Sequence, residues 1–192
     1  GLMGPHGHQQ GGEENMTKVI LTAVIAVGLV SGAFAQVTPQ VDMGTKEIQG
    51  SGSLVGDTPS GDAFALRLGY GYFVRDQLQV SVVGGIEDDD ISTAWQLGVA
   101  TQYNVLPYGW GPWVPYVGAA LLAVGTDFSQ GDSQTTAGLR FSGGMKYFLH
   151  DHVALGLQAA WDYAFDDVFM DEGGNLNDNQ WKLLFGIHVY YD

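Results

Sequence analysis

The sequence of 192 residues contains no cysteine. Disulfide frameworks, thiol nucleophiles and cysteine-ligated zinc sites are therefore excluded. Basic residues are scarce as well, with seven lysines and arginines against 21 acids and a formal net charge of −14. So few bases cannot form the positive stripe that nucleic acid requires, and we expect no nucleic-acid partner.

Charge of either sign is scarce, because charged residues make up only 15% of the chain, whereas soluble domains carry about 25%. After Gln36 there is no useful amphipathic helical pattern. That part of the chain also has no apolar run of the roughly 18 residues that a membrane-spanning helix needs. Glycine and aromatic residues are abundant instead, with 29 glycines and 12% aromatics. This combination indicates extensive apolar surface on a protein that is not a helical membrane protein.

The first 35 residues are predicted to lie outside the fold. Residues 1–15 are polar, glycine-rich and non-periodic, and we interpret them as a disordered upstream extension or tag. Residues 16–35 combine Lys18, an apolar stretch at 19–30 and small residues before Gln36. This order is typical of a cleaved signal peptide, and the stretch is short for a retained anchor. Residues 36–192 are then the mature domain.

From residue 36 onward the hydrophobic pattern has a period of two, which places alternate side chains on opposite faces of a strand. The alternation predicts eight strands of about 9 to 12 residues each, the length of tilted strands that cross a hydrocarbon core. The strands at 45–54 and 114–125 are the weakest, and the second is apolar on both faces. Short turns, including the near copies 72–78 and 147–153, alternate with longer acidic loops. This arrangement is typical of an all-β, antiparallel, up-and-down transmembrane β-barrel.

The two faces of the predicted strands differ in side-chain size. Large apolar residues with almost no charge occupy one face, and small or polar residues occupy the other. Eight strands enclose an interior only wide enough for side chains, which a full set of large residues would overfill. The large face is therefore predicted to meet lipid, with two belts of interfacial aromatics at the strand ends. The belt residues are Tyr72, Trp95, Tyr103, Tyr147, Trp161, Trp181 and Tyr191.

The opposite face carries a polar network that is predicted to fill the lumen. Its members are Glu47, Arg67, Arg140, Lys146, Asp162, Lys182 and His188. Asp162 and Lys182 are nearly equidistant from the centre of the last loop, so we expect them to oppose each other. Glu47 is expected near His188 if the barrel closes. Because buried charges must be paired, a polar plug is favoured over a narrow gated conduit.

The chemistry-bearing residues do not form a recognisable catalytic or metal site. His150, Asp151 and His152 share one short turn, whereas Ser142 and His188 lie on strands that are not adjacent, so no nucleophile–base pair is predicted. The acidic segments 87–90 and 166–178 do not fit the spacing of an EF-hand loop and are interpreted as solvated surface. We expect no enzymatic activity, no metal and no cofactor.

Three phrases carry a resemblance to a known family: LGYGYFVRDQL at 68–78, WVPYVG at 113–118 and YFLHDHVAL at 147–155. Residues 36–192 resemble the small bacterial outer-membrane β-barrel proteins of the OmpA-barrel, OmpX and opacity-protein type. The resemblance implies a monomer in a Gram-negative outer membrane, surrounded by lipid and lipopolysaccharide, with periplasmic termini and four external loops. The strand at 181–191 resembles the signal that the barrel-assembly machinery recognises, although it ends on Tyr191 and Asp192 where the family usually has Phe.

The resemblance implies no single activity, because one fold supports many functions. We expect a structural, surface-interaction or adhesion-type role with a mostly plugged polar lumen. The alternatives are a narrow porin-like channel, a lipid-modifying barrel enzyme and a soluble lipocalin-like binder.

Overall fold

The computed structural model describes residues 37–58, 61–88, 92–128, 133–170 and 176–192. The predicted extension at 1–15 and the predicted signal peptide at 16–35 lie outside these ranges and stay predictions. In the described ranges no helix is long and apolar enough to cross a membrane.

The described chain consists almost entirely of strands joined by turns. In chain order the strands are β1 (Lys46–Thr58), β2 (Gly61–Arg75), β3 (Leu78–Asp88), β4 (Ser92–Asn104), β5 (Trp113–Phe128), β6 (Gln134–His150), β7 (Val153–Ala164), β8 (Phe169–Met170), β9 (Leu176–Asn177) and β10 (Asn179–Tyr191). Eight of them form a closed barrel in the order β1-β10-β7-β6-β5-β4-β3-β2, and β8 and β9 form a separate two-stranded sheet. The predicted eight-stranded antiparallel up-and-down barrel is confirmed.

The barrel closes where β1 pairs with β10, with Ile48 opposite Val189 and Gln49 opposite His188. The connections between β2 and β3, β4 and β5, and β6 and β7 lie at the end of the barrel where β1 begins and β10 finishes. We call this the short-turn end. The opposite end, which carries the other four connections, is called the long-loop end.

The strands are longer than the hydrophobic alternation predicts, with 11 to 17 residues in those that form the barrel. β5 and β6, for example, stay paired up to Thr126 and Gln134, inside the stretch predicted to be a loop. Backbone groups keep their hydrogen-bond partners into the polar part of a hairpin, whereas alternation reveals only the part with one apolar face.

Two apolar clusters lie inside the barrel, where the sequence predicts only small and polar side chains with a few charges. The first contains Val41, Phe73, Val114, Phe148, Ala154 and Tyr190, and the second contains Ala120, Leu122, Val124, Ala164 and Val168. The prediction is wrong at both ends of the lumen, because chain from outside the strands enters there and supplies apolar partners. The ambiguous strand β5 directs Val114, Leu122 and Val124 inward.

Candidate functional site in the barrel lumen

The segment 37–45, which precedes β1, closes the lumen at the short-turn end. Val41 has no exposed surface and packs in the first apolar cluster, with Val37 against it. Two turns of the barrel hold the segment through carboxylates: the backbone N–H of Met43 donates to Oδ1 of Asp76 at 2.9 Å, and that of Thr38 donates to Oδ1 of Asp151 at 2.8 Å. We call segment 37–45 together with the first apolar cluster the cork.

The near copies 72–78 and 147–153 explain why the cork is held from two sides. Each copy supplies a buried phenylalanine, Phe73 or Phe148, and each supplies an aspartate three residues later, Asp76 or Asp151. Both phenylalanines stand beside a register shift of the sheet, and both pack against the ring of Tyr190. The sequence shows the repetition, but its binding to the segment 37–45 becomes visible only in the fold.

A fully buried ion cluster lies next to the cork and spans the lumen. Nζ of Lys146 on β6 donates to Oε2 of Glu47 on β1 at 2.8 Å, and both side chains have no exposed surface. Nδ1 of His188 lies 2.7 Å from Oε1 of the same carboxylate, so the expected proximity of Glu47 and His188 is present. Nζ of Lys146 also sits 5.3 Å from the ring centre of Tyr116 and 5.4 Å from that of Tyr190. We call Glu47, Lys146 and His188 the lower ion cluster.

A second ion cluster lies toward the long-loop end and joins five strands. Arg140 donates to Asp162 through Nε at 2.5 Å and Nη2 at 2.8 Å, and Nη2 also donates to Oε1 of Gln96 at 2.5 Å. Nζ of Lys182 donates to Oε2 of Glu87 across the lumen. Arg67 approaches this group through Nη2, which lies 3.8 Å from Oδ2 of Asp162. We call Arg67, Arg140, Lys182, Asp162 and Glu87 the upper ion cluster.

The predicted opposition of Asp162 and Lys182 is wrong. Asp162 stands opposite Gln180 in the last hairpin, and Lys182 stands opposite Ala160. A register shift of two residues leaves every side chain on its face, so the hydrophobic pattern cannot detect it. Glu87, assigned from the sequence to an acidic loop, belongs to β3 and receives the lysine instead.

The last loop covers part of the lumen at the long-loop end. Val168, which is 2% exposed, packs in the second apolar cluster, and Phe169 packs against that cluster. Oγ1 of Thr126 donates to the carbonyl oxygen of Val168 at 3.3 Å. Apolar side chains therefore occupy part of the described lumen at this end as well as at the other.

A polar cavity of about 50 Å³ lies in the middle of the barrel. Its lining includes Ser51, Arg67, Ser81, Gln96, Arg140 and Gln158. Because a water molecule needs roughly 10–15 Å³ of such space, the cavity has room for only a few waters. The described part of the lumen is therefore layered as cork, lower ion cluster, cavity, upper ion cluster and second apolar cluster.

The barrel that carries these layers matches a protein-family model, that of the outer membrane protein beta-barrel domain, over residues 19–188. The chain belongs to this family. Residues 37–192 are thus an outer-membrane barrel, and a soluble lipocalin-like binder is excluded. Export through a signal peptide at 16–35 stays a prediction.

Solved structures of other outer-membrane barrels share the fold. Neisserial surface protein A is 18% identical with a TM-score of 0.59, over 76% of this chain and 96% of that one. The N-terminal barrel domain of Pseudomonas aeruginosa OprF is 15% identical with a TM-score of 0.58, over 78% and 98%. OprG of Pseudomonas aeruginosa is also 15% identical, with a TM-score of 0.54 over 78% and 97%. At these identities the likeness concerns the fold alone. The comparison with curated proteins finds no match.

Many large apolar side chains are exposed on the outer face of this outer-membrane barrel. Leu97 in the middle of β4 is 56% exposed, and Phe185 in the middle of β10 is 62% exposed. Trp181, near the start of β10, is 74% exposed. The predicted belt residues are found at the strand ends. Tyr72, Tyr103, Tyr147 and Tyr191 lie toward the short-turn end, and Trp95, Trp161 and Trp181 lie toward the long-loop end.

The remaining chemistry-bearing residues do not gather into a second site. The rings of His150 and His152 lie 5.9 Å apart at the turn between β6 and β7. Nδ1 of His188 is engaged by Glu47. Within the described ranges, no group of three or more His, Asp and Glu side chains is arranged to hold a metal ion.

Proposed function

We propose that this protein is a lumen-blocked outer-membrane barrel that acts through its surface, in a structural or surface-interaction role. The observation that carries the proposal is the cork, in which Val41 is completely buried among Phe73, Phe148 and Tyr190. A narrow porin-like channel would need water along its whole axis, whereas an apolar cluster lies at each end of the described lumen. Between these ends, Glu47 pairs with Lys146, Asp162 with Arg140 and Glu87 with Lys182, as the charges of a buried plug require.

The surface for such a role is acidic at the long-loop end. Asp88, Asp127, Asp166 and Asp167 are all exposed there, whereas most lysines and arginines point into the lumen. We propose that the loops face the exterior and that the apolar face is surrounded by outer-membrane lipid and lipopolysaccharide. We further propose a monomer that the barrel-assembly machinery recognises through β10. No catalytic role is proposed, because His188 is bonded within the lower ion cluster.

Conductance in planar lipid bilayers tests the blocked lumen. The purified full chain is expected to insert without producing stable single-channel openings. Folding of the same sample is verified by heat-modifiable gel migration. Stable openings whose conductance changes in Lys182→Ala or Arg140→Ala, but not in the turn variant Arg75→Ala, would refute the proposal. Arg75 is a suitable control because it is exposed beside the turn between β2 and β3.

A further inference from the structure

Among the described charged residues of the lumen, Arg67 is the least satisfied. It is only 6% exposed, and none of its Nε, Nη1 and Nη2 atoms has a hydrogen-bond partner in the structure. Its nearest acid, Asp162, lies 3.8 Å away and already accepts two hydrogen bonds from Arg140. A buried guanidinium whose N–H donors have no acceptor destabilises the folded state. An acceptor from outside the protein would remove this cost in free energy.

The charges around Arg67 do not balance either. The upper ion cluster contains three positive side chains, Arg67, Arg140 and Lys182, but only two negative ones, Asp162 and Glu87. The lower ion cluster supplies no spare negative charge, because Glu47 is paired with Lys146. Among the described lumen residues, one positive charge therefore has no counterpart. Uncompensated charge in a water-poor interior favours uptake of a counter-ion.

The central cavity gives such a counter-ion a place beside Arg67. Arg67 and Gln96 both line it, and their side chains meet over Gly85: a Cβ at that glycine would lie 2.8 Å from Cγ of Arg67 and 2.9 Å from Nε2 of Gln96. Because Oε1 of Gln96 accepts a hydrogen bond from Arg140, the N–H donors of Gln96 are on Nε2, the atom that lies near Gly85. Hydroxyl groups of Ser51 and Ser81 complete a lining that can donate hydrogen bonds. The volume of about 50 Å³ admits a small ion and is too small for an anion of the size of gluconate.

We propose that the lumen of this protein binds one small monovalent anion of the halide class, chloride in particular, between Arg67 and Gln96. The anion satisfies the free guanidinium donors and neutralises the upper ion cluster. It thereby acts as a buried structural counter-ion rather than as a transported solute. The proposal concerns binding in the lumen and does not depend on whether the barrel conducts.

Unfolding in the presence of different anions tests the proposal. The full chain is folded in detergent micelles, and the urea midpoint is measured with sodium chloride or bromide replacing sodium gluconate at constant ionic strength. Halide is expected to raise the midpoint in a saturable way, whereas gluconate, which is too large for the cavity, does not. At a halide concentration ten times Kd, the unfolding equilibrium constant is expected to fall about elevenfold.

Two lumen variants and one control locate the site. Gln96→Glu places a carboxylate of equal size beside Arg67 and is expected to abolish the halide effect while the barrel stays folded. Arg67→Gln removes the positive charge and is expected to do the same. Arg75→Gln removes an exposed arginine and is expected to keep the full effect.

Chloride NMR provides a readout that does not require Arg67→Gln to fold. Excess broadening of the ³⁵Cl line by the folded wild-type chain, reduced by bromide and absent in Gln96→Glu, would support the site. Equal midpoints in halide and gluconate would show that the cavity holds water only. A halide effect that persists in Gln96→Glu would place the anion elsewhere. Either of these results overturns the proposal.

Discussion

Replacing Lys146 by Met should destabilise the barrel more than any other single lysine substitution in the described chain. Lys146 and Glu47 form an ion pair of 2.8 Å in which neither side chain has exposed surface. The methionine would leave Glu47 buried with His188 as its remaining partner in the lower ion cluster. Removing one partner of a buried pair costs about 3–5 kcal/mol, because an uncompensated charge stays behind.

The structure also sets how the double variant should behave. In Lys146→Met with Glu47→Gln, neither charge remains, so the main cost of the single substitution is removed. Replacing a whole buried ion pair by uncharged groups is often close to neutral. We therefore expect the double variant to be more stable than Lys146→Met, with a coupling energy in the upper part of the range of about 0.5–3 kcal/mol measured for contacting residues.

Urea unfolding of the chain in lipid vesicles, followed by tryptophan fluorescence, measures these differences. Lys46→Met is the matched control: Nζ of Lys46 lies 5.6 Å from the ring centre of the half-buried Tyr191, and such a cation–π contact is worth about 0.5–1 kcal/mol where water still reaches the cation. Lys182→Met should cost about 1 kcal/mol, because the carboxylate of Glu87 is one-third exposed and can be solvated. Equal losses in Lys146→Met and Lys46→Met, or a coupling energy of zero, would refute the reasoning.

Two further predictions test the lipid-facing surface and the cork by the same unfolding assay. Leu97→Arg, in the middle of β4 on the exposed apolar face, should destabilise the barrel by about 2–4 kcal/mol in vesicles, the cost of a basic residue at the bilayer midplane. Thr93→Arg, on the same face near the long-loop end, should cost about 0–1 kcal/mol, and equal losses at the two sites would argue against a membrane-spanning β4. Phe148→Ala should cost about 3–5 kcal/mol, because it empties a site that is 1% exposed in the centre of the cork. Leu149→Ala, on the next residue and 42% exposed, should cost clearly less, and the reverse order would contradict the packing of the cork.

The fold was predictable because a period of two is a local property. In β10 the alternation from Trp181 to Tyr191 assigns each side chain to one face, and the structure exposes the large residues of that face. Side-chain size then assigns the large face to lipid, since a lumen of eight strands has no room for it. The composition of the inward face likewise indicated the charged residues of the lumen except Glu87, which the sequence assigned to a loop.

The partners of those residues depended on the tertiary structure. Asp162 binds Arg140 rather than Lys182. A register shift of two residues changes the partner of each side chain but leaves each side chain on its face, so the period-two alternation cannot reveal the shift. Lys182 finds Glu87 across the lumen on a strand that is distant in the chain. Such contacts form only when the barrel closes, because the residues that make them are far apart in the sequence.

The cork and the unpaired guanidinium of Arg67 are likewise features that the tertiary structure determines and that the sequence does not show. Periodicity says nothing about segment 37–45, since its only regularity is its binding to two distant turns through Asp76 and Asp151. Arg67 could be placed in the lumen from its strand, but its lack of partners is the outcome of how the other charges pair. Local patterning decides which solvent each face of a strand meets. Which side chains satisfy one another inside is decided by closure, because hydrogen bonds and ion pairs require positions within a few ångströms.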